Sequence, residues 1–275
     1  MKKIKAIVIG LGNIGYNFEI SGHKKRNIGS HFKSYIVNKN YKIVAVCDKN
    51  KNILNDIKKK YSDLNTYTDL KQLILKEKFD VASVCVNTEN HLKIIKQLIK
   101  TDVKNIICEK PAGNNYKELL KVKKEIKKKK ILFLVNYSRR YMNSFIKLKK
   151  LIIQNNLGKL ESFNCSCSGG LYNMGSHMID MVSWLFDKKI TDVKKIKLEK
   201  DNFTKDYRAK AILYFDKNTL GFFNILKNKF NLIFETHFYF ENGKVEILKN
   251  GRSLKILKFR KNKIESTKNQ NYNEL

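Results

Sequence analysis

Short apolar runs and amphipathic segments alternate along the first half of the chain. The apolar runs are rich in Ile and Val, as in strands buried on both faces of a parallel sheet, and they are Ile4–Ile9, Lys42–Asp48, Asp80–Val86, Val103–Cys108 and Ile131–Val135. The segments between them carry apolar residues at helical spacing, and they are His31–Asn38, Ile53–Tyr61, Asp69–Lys78, Leu92–Lys100 and Tyr116–Lys129. This order predicts an N-terminal Rossmann domain over residues 1–137, with a doubly wound parallel sheet and right-handed crossovers.

The pattern changes after Asn136. The predicted elements are then a helix at Ser144–Gln154, a half-exposed strand at Lys159–Ser168, a helical segment within Leu171–Asp187 and several strands between residues 190 and 259. Turn signals such as Asn242-Gly243 separate these last strands. We therefore expect a C-terminal α+β domain over residues 138–275. Its open, mostly antiparallel sheet would pack one face on helices and offer the other to a second subunit, and its polar tail, residues 261–275, would fray.

The charge is strongly positive. Lys and Arg number 57 against 25 Asp and Glu, which gives a formal net charge of +32. Such a charge attracts anions, so nucleic acid and phosphorylated small molecules are the partners to weigh. The lysines are spread along the whole chain, however, and there is no arginine-rich arm or basic patch interleaved with aromatic residues. We expect no nucleic-acid partner, and a charge that raises the local concentration of a phosphate-bearing substrate.

The five cysteines are scattered, which fits a reducing compartment. Cys47, Cys85 and Cys108 lie in apolar strand patterns, and Cys165 and Cys167 have the spacing of one strand face, without a second cluster that would complete a metal site. No apolar stretch reaches the about 18 residues of a membrane span. The apolar run near the N-terminus is too short for a signal peptide. We expect a cytoplasmic protein that binds no metal and no membrane.

A glycine-rich loop follows the first predicted strand directly. Its sequence is G-x-G-x-x-G, in which the first glycine allows a tight turn, the second admits a pyrophosphate and the third lets helix and strand pack closely. Free N–H groups at the helix start would bind the phosphates. The candidate cofactor-binding residues of this loop are Gly10, Gly12, Asn13, Ile14 and Gly15. The alternative is a glycine turn that binds no ligand.

An acidic residue, Asp48, ends the second predicted strand. Its carboxylate would accept hydrogen bonds from a ribose 2′-OH and repel a 2′-phosphate, so NAD is favoured as the cofactor. Lys49 and Lys51 soften that preference and leave NADP open. The alternative role for Asp48 is a helix N-cap. The segment Tyr16–Ser30 interrupts the expected helix, either as a loop that folds over the cofactor or substrate or as a solvated loop.

Two further stretches carry candidate chemistry. Pro111, the single proline of the chain, ends the strand that runs into Glu109-Lys110 and holds Lys110 extended at the edge where open α/β sheets bind ligands. The alternative is a solvated lysine in a loop. Farther along, Asn173, His177 and Asp180 fall at i, i+4 and i+7, which places all three on one helical face. The alternative for His177 is a helix histidine with a structural partner.

Together these motifs resemble the Gfo/Idh/MocA oxidoreductases, the glucose–fructose oxidoreductase and inositol dehydrogenase family. The matching motifs are GLGNIG (Gly10–Gly15), VAVCD (Val44–Asp48), VNTENH (Val86–His91), CEKP (Cys108–Pro111), NYSRRY (Asn136–Tyr141) and GSHMID (Gly175–Asp180). The glycine motif is widespread, whereas CEKP and GSHMID in this order are far more specific. The resemblance runs from the N-terminus to about Asp187.

The resemblance implies hydride transfer between nicotinamide and a carbon of a sugar or polyol, in a dimer or tetramer. It implies that Lys110 touches the reacting oxygen and that His177 is the acid/base, both facing the same carbinol. It further implies that Arg140 lies near the substrate, and that Asn87 and His91 lie along the cofactor beside Glu109. The residues fit that chemistry, because an imidazole can take the hydroxyl proton and an ammonium stabilises developing negative charge.

Two departures from the family pattern refine this reading. The loop after the Val86 strand lacks the family's Thr-Pro pair, and Asn173 stands where many sugar and inositol members have Asp. Because Asn cannot relay a proton, Asn173 is expected to bind a substrate hydroxyl, with Asp180 beside it, as in members that oxidise nucleotide-linked sugars. We therefore expect an NAD(P)-dependent oxidoreductase acting on a sugar or nucleotide sugar in surface polysaccharide synthesis. The alternative is a non-catalytic NAD-sensing regulator on the same scaffold.

Overall fold

The chain divides into two compact units, residues 1–136 and 137–274, and each unit is described by itself. The computed structural model describes residues 3–19, 28–202, 206–227, 232–260, 263–266 and 270–271. Among them, no helix is long and apolar enough to cross a membrane.

The first unit is a Rossmann domain. Its parallel strands are β1 (Ile4–Ile9), β2 (Tyr41–Cys47), β3 (Asn65–Tyr67), β4 (Val81–Val84), β5 (Asn105–Cys108) and β6 (Leu132–Val135). Its helices are α1 (His31–Val37), α2 (Lys51–Lys60), α3 (Leu70–Lys76), α4 (Thr88–Leu98) and α5 (Tyr116–Lys128). The sheet order β3-β2-β1-β4-β5-β6 is the doubly wound order, with its reversal between β1 and β4. The predicted fold class is confirmed, except that the short β3 was missed.

Alternating side chains of the central strand β1 pack into two separate apolar cores, one on each face of the sheet. On β1, Ile7 and Ile9 pack into one apolar cluster, and Ala6 and Val8 pack into the other. A strand covered on both faces must be apolar throughout, which is why the sequence shows continuous apolar runs here. Ser30, Asn50, Asp69 and Asn115 begin helices, each accepting a backbone N–H with its side chain.

The first Rossmann helix is split in two. The chain makes one helical turn after Gly12, with the Tyr16 N–H donating to the Gly12 carbonyl (2.9 Å). Helix α1 then continues from that turn, because the His31 N–H donates to the Ile14 carbonyl (3.0 Å) and the Phe32 N–H to the Gly15 carbonyl (3.1 Å). Residues 20–27 of the predicted Tyr16–Ser30 insertion lie outside the described residues.

The second unit is an α+β fold around one large sheet. Its strands are β7 (Leu160–Cys167), β8 (Asp192–Lys200), β9 (Tyr207–Tyr214), β10 (Leu220–Ile225), β11 (Phe234–Phe240), β12 (Gly243–Leu248), β13 (Ser253–Arg260), β14 (Lys263–Ser266) and β15 (Gln270–Asn271). Its helices are α6 (Asn143–Ile153) and α7 (Ser176–Phe186). The main path runs β14-β13-β12-β11-β7-β10-β9-β8. Among the described strand pairs of this second sheet, only β7 and β10 are parallel, so the prediction of a mostly antiparallel sheet is confirmed. Of the predicted tail, 263–266 and 270–271 are strands, and the rest lies outside the described residues.

One face of this sheet is covered and the other is open. Phe145 of α6 and Met178 of α7 share a core with Phe163 and Phe223 of the sheet. The side chain of Phe222 points the opposite way and is 39% exposed, as the period of two along a strand requires.

We predict opposite outcomes for two leucines of α3. Leu73 is fully buried and Leu75 is 84% exposed. Leu73→Ala should lower the free energy of unfolding by about 2–5 kcal/mol, because it leaves a cavity. Leu75→Ala should change it by less than about 0.5 kcal/mol. Urea denaturation of both variants checks the placement of α3, and equal effects would contradict it.

Candidate cofactor and catalytic site

The glycine loop lies at the carboxyl end of β1. Gly10 has a φ of +89°, and a Cβ there would lie 2.6 Å from the backbone of Cys85. A Cβ on Gly15 would lie 2.0 Å from the Gly10 carbonyl oxygen. These two glycines are therefore required by the fold itself. Gly12 is different, because no other part of the described residues, chain neighbours aside, lies within 4 Å of the position of its Cβ, and the adjacent Asn13 is also exposed. The loop thus keeps open space at the one glycine that a pyrophosphate would approach.

Asp48 fastens this loop to β2. One carboxylate oxygen accepts the Leu11 N–H at 2.6 Å and the other accepts the Asn50 N–H at 2.8 Å. The N-cap of α2 is Asn50, whose side chain accepts the Asn52 N–H. The alternative role of Asp48 as the N-cap is therefore wrong, and its binding to a ribose stays a prediction. Each carboxylate oxygen keeps a lone pair for a further donor.

Helix α4 begins at Thr88, one residue after Asn87, so the predicted helix start at Leu92 is wrong by four residues. Asn87 is exposed at the N-cap position, without a side-chain capping bond. His91 lies inside the helix and is 1% exposed. Its Nδ1 is 2.8 Å from the Pro111 carbonyl oxygen and its Nε2 is 2.8 Å from that of Val86. Both ring nitrogens of His91 therefore face the protein's own backbone.

Glu109 and Lys110 follow β5 at the same edge. The Glu109 side chain is buried, and its Oε1 lies 3.0 Å from His31 Nε2 and accepts Asn136 Nδ2–H at 2.7 Å. Its Oε2 accepts the Lys110 backbone N–H at 3.3 Å. Burial by itself would raise the pKa of Glu109, but the hydrogen bonds from His31 and Asn136 outweigh burial and hold that pKa below its ordinary value. Lys110 is half-buried, and its peptide bond to Pro111 is cis.

The hydrogen-bonded chain continues from His31 into the core. His31 Nδ1 lies 3.0 Å from Ser83 Oγ, which lies 2.9 Å from the Tyr35 hydroxyl. Burial raises the pKa of Tyr35 to about 12, so this phenol keeps its proton. Sequence reasoning missed His31, Ser83 and Tyr35. One signal was available, since Ser83 is the single hydroxyl in an otherwise apolar strand and a buried hydroxyl needs a partner.

A second group of predicted residues meets within the other unit. The Arg140 guanidinium binds both carboxylate oxygens of Asp180, with Nε to Oδ2 at 2.9 Å. This pairing raises the pKa of Arg140. The Tyr137 ring lies edge-on to the His177 ring, with centroids 5.8 Å apart, and Arg140 Cζ is 5.9 Å from the Tyr137 ring centroid. The structure therefore brings together Arg140, His177 and Asp180, with Tyr137 between them.

Asn173 is not on the α-helix that carries His177. It lies in a π-helical segment, Gly170–Gly175, that precedes α7. The Asp206 carboxylate accepts the Asn173 N–H at 3.0 Å and the Tyr172 N–H at 3.1 Å. The predicted single α-helical face for Asn173, His177 and Asp180 is therefore wrong for Asn173, because the wider turn and the anchor on Asp206 set its position.

The residues of the first unit fit a dinucleotide. At the reversal between β1 and β4, the open space beside Gly12 adjoins Asp48, and the Lys110 segment lies at the same sheet edge. Neutral backbone donors and one acid suit a pyrophosphate and a ribose diol. Among the described residues, no group of three or more His, Cys, Asp or Glu side chains could hold a metal ion. The fold and this edge thus define a Rossmann-type dinucleotide-binding protein.

The family follows from a comparison of sequences. Residues 4–137 match the model of the GFO_IDH_MocA family, described as an oxidoreductase family with an NAD-binding Rossmann fold. The NAD-binding domain of this chain therefore belongs to the Gfo/Idh/MocA oxidoreductases, and the resemblance of the motifs is confirmed.

Named relatives are more distant. Myo-inositol 2-dehydrogenase of Thermotoga maritima is 24% identical over 165 residues, which cover 55% of this chain and 49% of the relative. The scyllo-inositol 2-dehydrogenase (NADP(+)) of Bacillus subtilis is 23% identical over 58% of this chain and 52% of its own. The chain thus spans about half the length of these relatives. The WlbA dehydrogenase of Bordetella pertussis, solved with NADH and UDP-GlcNAcA, is 16% identical with a TM-score of 0.78, covering 95% of this chain and 79% of that chain. At this identity the likeness concerns the fold.

We predict that Gly12→Ala separates folding from cofactor binding. The melting temperature should change by no more than about 2 °C, because the new Cβ would meet no atom within 4 Å in the described part of the chain beyond its own neighbours. NADH affinity, measured by fluorescence titration, should fall at least tenfold, because the methyl group occupies the space left for the pyrophosphate. Gly15→Ala is the matched control, since it should destabilise the apoprotein. An unchanged NADH affinity in Gly12→Ala would contradict the placement of the dinucleotide.

Proposed function

We propose that the protein is an NAD-dependent oxidoreductase that transfers a hydride between nicotinamide and a hydroxyl or keto carbon of a sugar or nucleotide sugar. One observation carries the proposal. The glycine loop, Asp48 and the Glu109-Lys110 segment lie at a single sheet edge, and the family is an NAD-binding oxidoreductase family. A dinucleotide site beside a half-buried lysine suits dehydrogenation better than simple binding.

The glycine loop and Asp48 would hold the cofactor. Backbone N–H groups near Gly12, Asn13 and Ile14 would bind the pyrophosphate, and Asp48 would accept from the ribose hydroxyls. The bound nicotinamide supplies the hydride acceptor or donor. Because the Asp48 carboxylate repels a 2′-phosphate, NAD is favoured. Asn87 would border the cofactor at the exposed start of α4. His91 is a poorer cofactor contact, since both of its nitrogens face backbone carbonyls.

Lys110 and His177 would carry the proton chemistry. The Lys110 ammonium would stabilise negative charge on the reacting oxygen. The His177 imidazole would take the hydroxyl proton during oxidation and return it during reduction. Arg140 keeps N–H groups beyond those bound to Asp180, and these would donate to substrate oxygens. Asp180 would then act by orienting Arg140, and Asn173 would bind a hydroxyl.

Two features support a nucleotide-linked sugar as the substrate. The chain carries a formal net charge of +32, which attracts a diphosphate. A structural neighbour, the WlbA dehydrogenase, was solved with UDP-GlcNAcA. We therefore propose a nucleotide sugar, and with it a role in surface polysaccharide synthesis. Inositol is the competing substrate class, because inositol dehydrogenases are among the sequence relatives.

We also propose that a second copy covers the open face of the large sheet. Phe222 lies directly opposite Ile212, and Leu220 opposite Tyr214, so apolar cross-strand pairs line this face. Leu220 and Phe222 are each 39% exposed. Contiguous exposed apolar surface of this kind is typical of protein interfaces.

Kinetics of Lys110→Ala and His177→Ala test the catalytic roles. With a panel of UDP-sugars and inositols and NAD⁺, the unsubstituted protein should generate NADH absorbance with at least one compound. Each variant should lower kcat at least about 100-fold, because a charge-stabilising or proton-transferring group is lost. NADH affinity should change less than about threefold. Unchanged rates in both variants would refute the roles, and no turnover with any compound despite NADH binding would favour the non-catalytic regulator.

Light scattering after size exclusion tests the oligomer. The measured mass should be that of two or more copies of the 32.3 kDa chain. Phe222→Glu should shift the mass to that of the monomer, because association would then bury a charge in the apolar face between the two copies. Leu75→Glu is the matched control, since Leu75 is 84% exposed in the other unit and should leave the mass unchanged. A monomeric unsubstituted protein would end the proposal.

A further inference from the structure

Two buried histidines hold the segment Glu109–Pro111 from its two ends. His31 bonds the Glu109 side chain, and His91 faces the Pro111 carbonyl, with Lys110 between these two contacts. We propose that His31 and His91 are positioning residues, which fix Lys110 through Glu109 and Pro111. This inference rests on the proposed function, because Lys110 matters only if it meets the reacting oxygen.

His31 connects the glycine loop with the Lys110 segment. Its backbone N–H donates to the Ile14 carbonyl at 3.0 Å. Its Nε2 lies 3.0 Å from Glu109 Oε1, and the other oxygen of that carboxylate accepts the Lys110 N–H. His31 thus connects the glycine loop, through the Glu109 carboxylate, with the backbone amide of Lys110. The Glu109 carboxylate fixes the tautomer, because an ionised carboxylate only accepts and the proton must then lie on Nε2. In the neutral ring, Nδ1 then accepts from the Ser83 hydroxyl.

His91 works from the opposite side. Its ring lies between the Val86 carbonyl, at the exit of β4, and the Pro111 carbonyl, at 2.8 Å from each. A neutral imidazole has one N–H and donates to one of these two carbonyls. With that proton on Nδ1, the ring donates from α4 to the Pro111 carbonyl. The ring thereby contacts two neighbouring strand ends.

The geometry favours positioning over two other roles. Ser83, His31 and Glu109 have the composition of a hydrolase triad, but Ser83 is fully buried, so no substrate reaches its hydroxyl. The chain from Glu109 to Tyr35 also resembles a proton relay. It ends at Tyr35, which is 5% exposed and retains its proton, so it does not lead to solvent. What remains is a rigid support for the Glu109 carboxylate and the adjacent lysine.

Asparagine and glutamine substitutions separate the two ends of each ring. An Asn amide reaches about the position of Nδ1, and a Gln amide about that of Nε2. Gln at 31 therefore keeps a donor to Glu109, whereas Asn keeps only the Ser83 contact. The order reverses at position 91, where Asn keeps the donor to Pro111 and Gln keeps only the Val86 contact. His31→Gln and His91→Asn are thus the conservative variants, and His31→Asn and His91→Gln are the disruptive ones.

Amide hydrogen exchange is the first measurement, made on the full chain without added ligand. Peptides that contain Lys110 should exchange about tenfold faster in the two disruptive variants, because the bond from Lys110 N–H to Glu109 loosens. In the two conservative variants the rate should stay within about twofold of the original. Peptides from β7 in the other unit report global destabilisation and should not change. If a variant at position 31 does not fold, Asn136→Ser is used instead, because it removes the other side-chain donor to the Glu109 carboxylate. It should accelerate exchange in the same Lys110 peptides.

Steady-state kinetics is the second measurement, with the compound that the sugar panel identifies. The disruptive variants should lower kcat by about 10- to 100-fold, as expected when a reacting group is displaced by about 1 Å. KM and NADH affinity should change less than about threefold, and the conservative variants should recover most of kcat. Equal behaviour of Asn and Gln at each position, in exchange and in kcat, would overturn the inference.

The two proposals fail in different ways. If no compound is turned over, but only the disruptive variants accelerate exchange at Lys110, the histidines position the segment and the proposed reaction is wrong. If turnover is found, but disruptive and conservative variants exchange alike, the reaction stands and the inference is wrong.

Discussion

The buried carboxylate of Glu109 is the constraint around which the carboxyl edge of the Rossmann sheet is arranged. A buried ion that lacks partners costs several kcal/mol, so this side chain must find donors. It finds them in His31 of α1, Asn136 after β6 and the Lys110 amide. These bonds hold its pKa below the ordinary value despite burial. Because the donors come from separate elements, satisfying one carboxylate fixes α1 and the ends of β5 and β6 relative to one another.

The second unit solves a similar problem with a different pair. Asp180 is largely buried on α7, and the Arg140 guanidinium neutralises it through two bonds. A carboxylate paired in this way is a poor proton acceptor, so in the proposed reaction the proton would pass to His177 of the same cluster. The Tyr137 ring lies beside both Arg140 and His177. In both units, then, a carboxylate that is largely buried is satisfied by donors from separate elements of the fold.

The motifs predictable from sequence were those whose physical reason is local. Gly10 must be glycine because of its positive φ, and Gly15 because of the close backbone of Gly10. A G-x-G-x-x-G motif directly after a predicted strand indicates both of these requirements. Asp48 was placed correctly at the end of β2, but its bonds to Leu11 and Asn50 were not foreseen, since they depend on how the loop turns back. The helix start at Thr88 was missed although Asn87, a residue type favoured at N-caps, stands directly before it.

The sequence by itself determined the order of strands and helices, and with it the single edge at which the glycine loop, Asp48 and Lys110 meet. That follows from the period of the apolar residues, which each segment carries within itself. Only the tertiary structure decided which polar side chains meet inside the fold. His31 and Glu109 are 78 positions apart, and the π-helical turn at Asn173 depends on Asp206 from a separate part of the chain. Such contacts leave no period or spacing in the sequence, because they arise only when packing removes water and every buried polar atom has to find a partner.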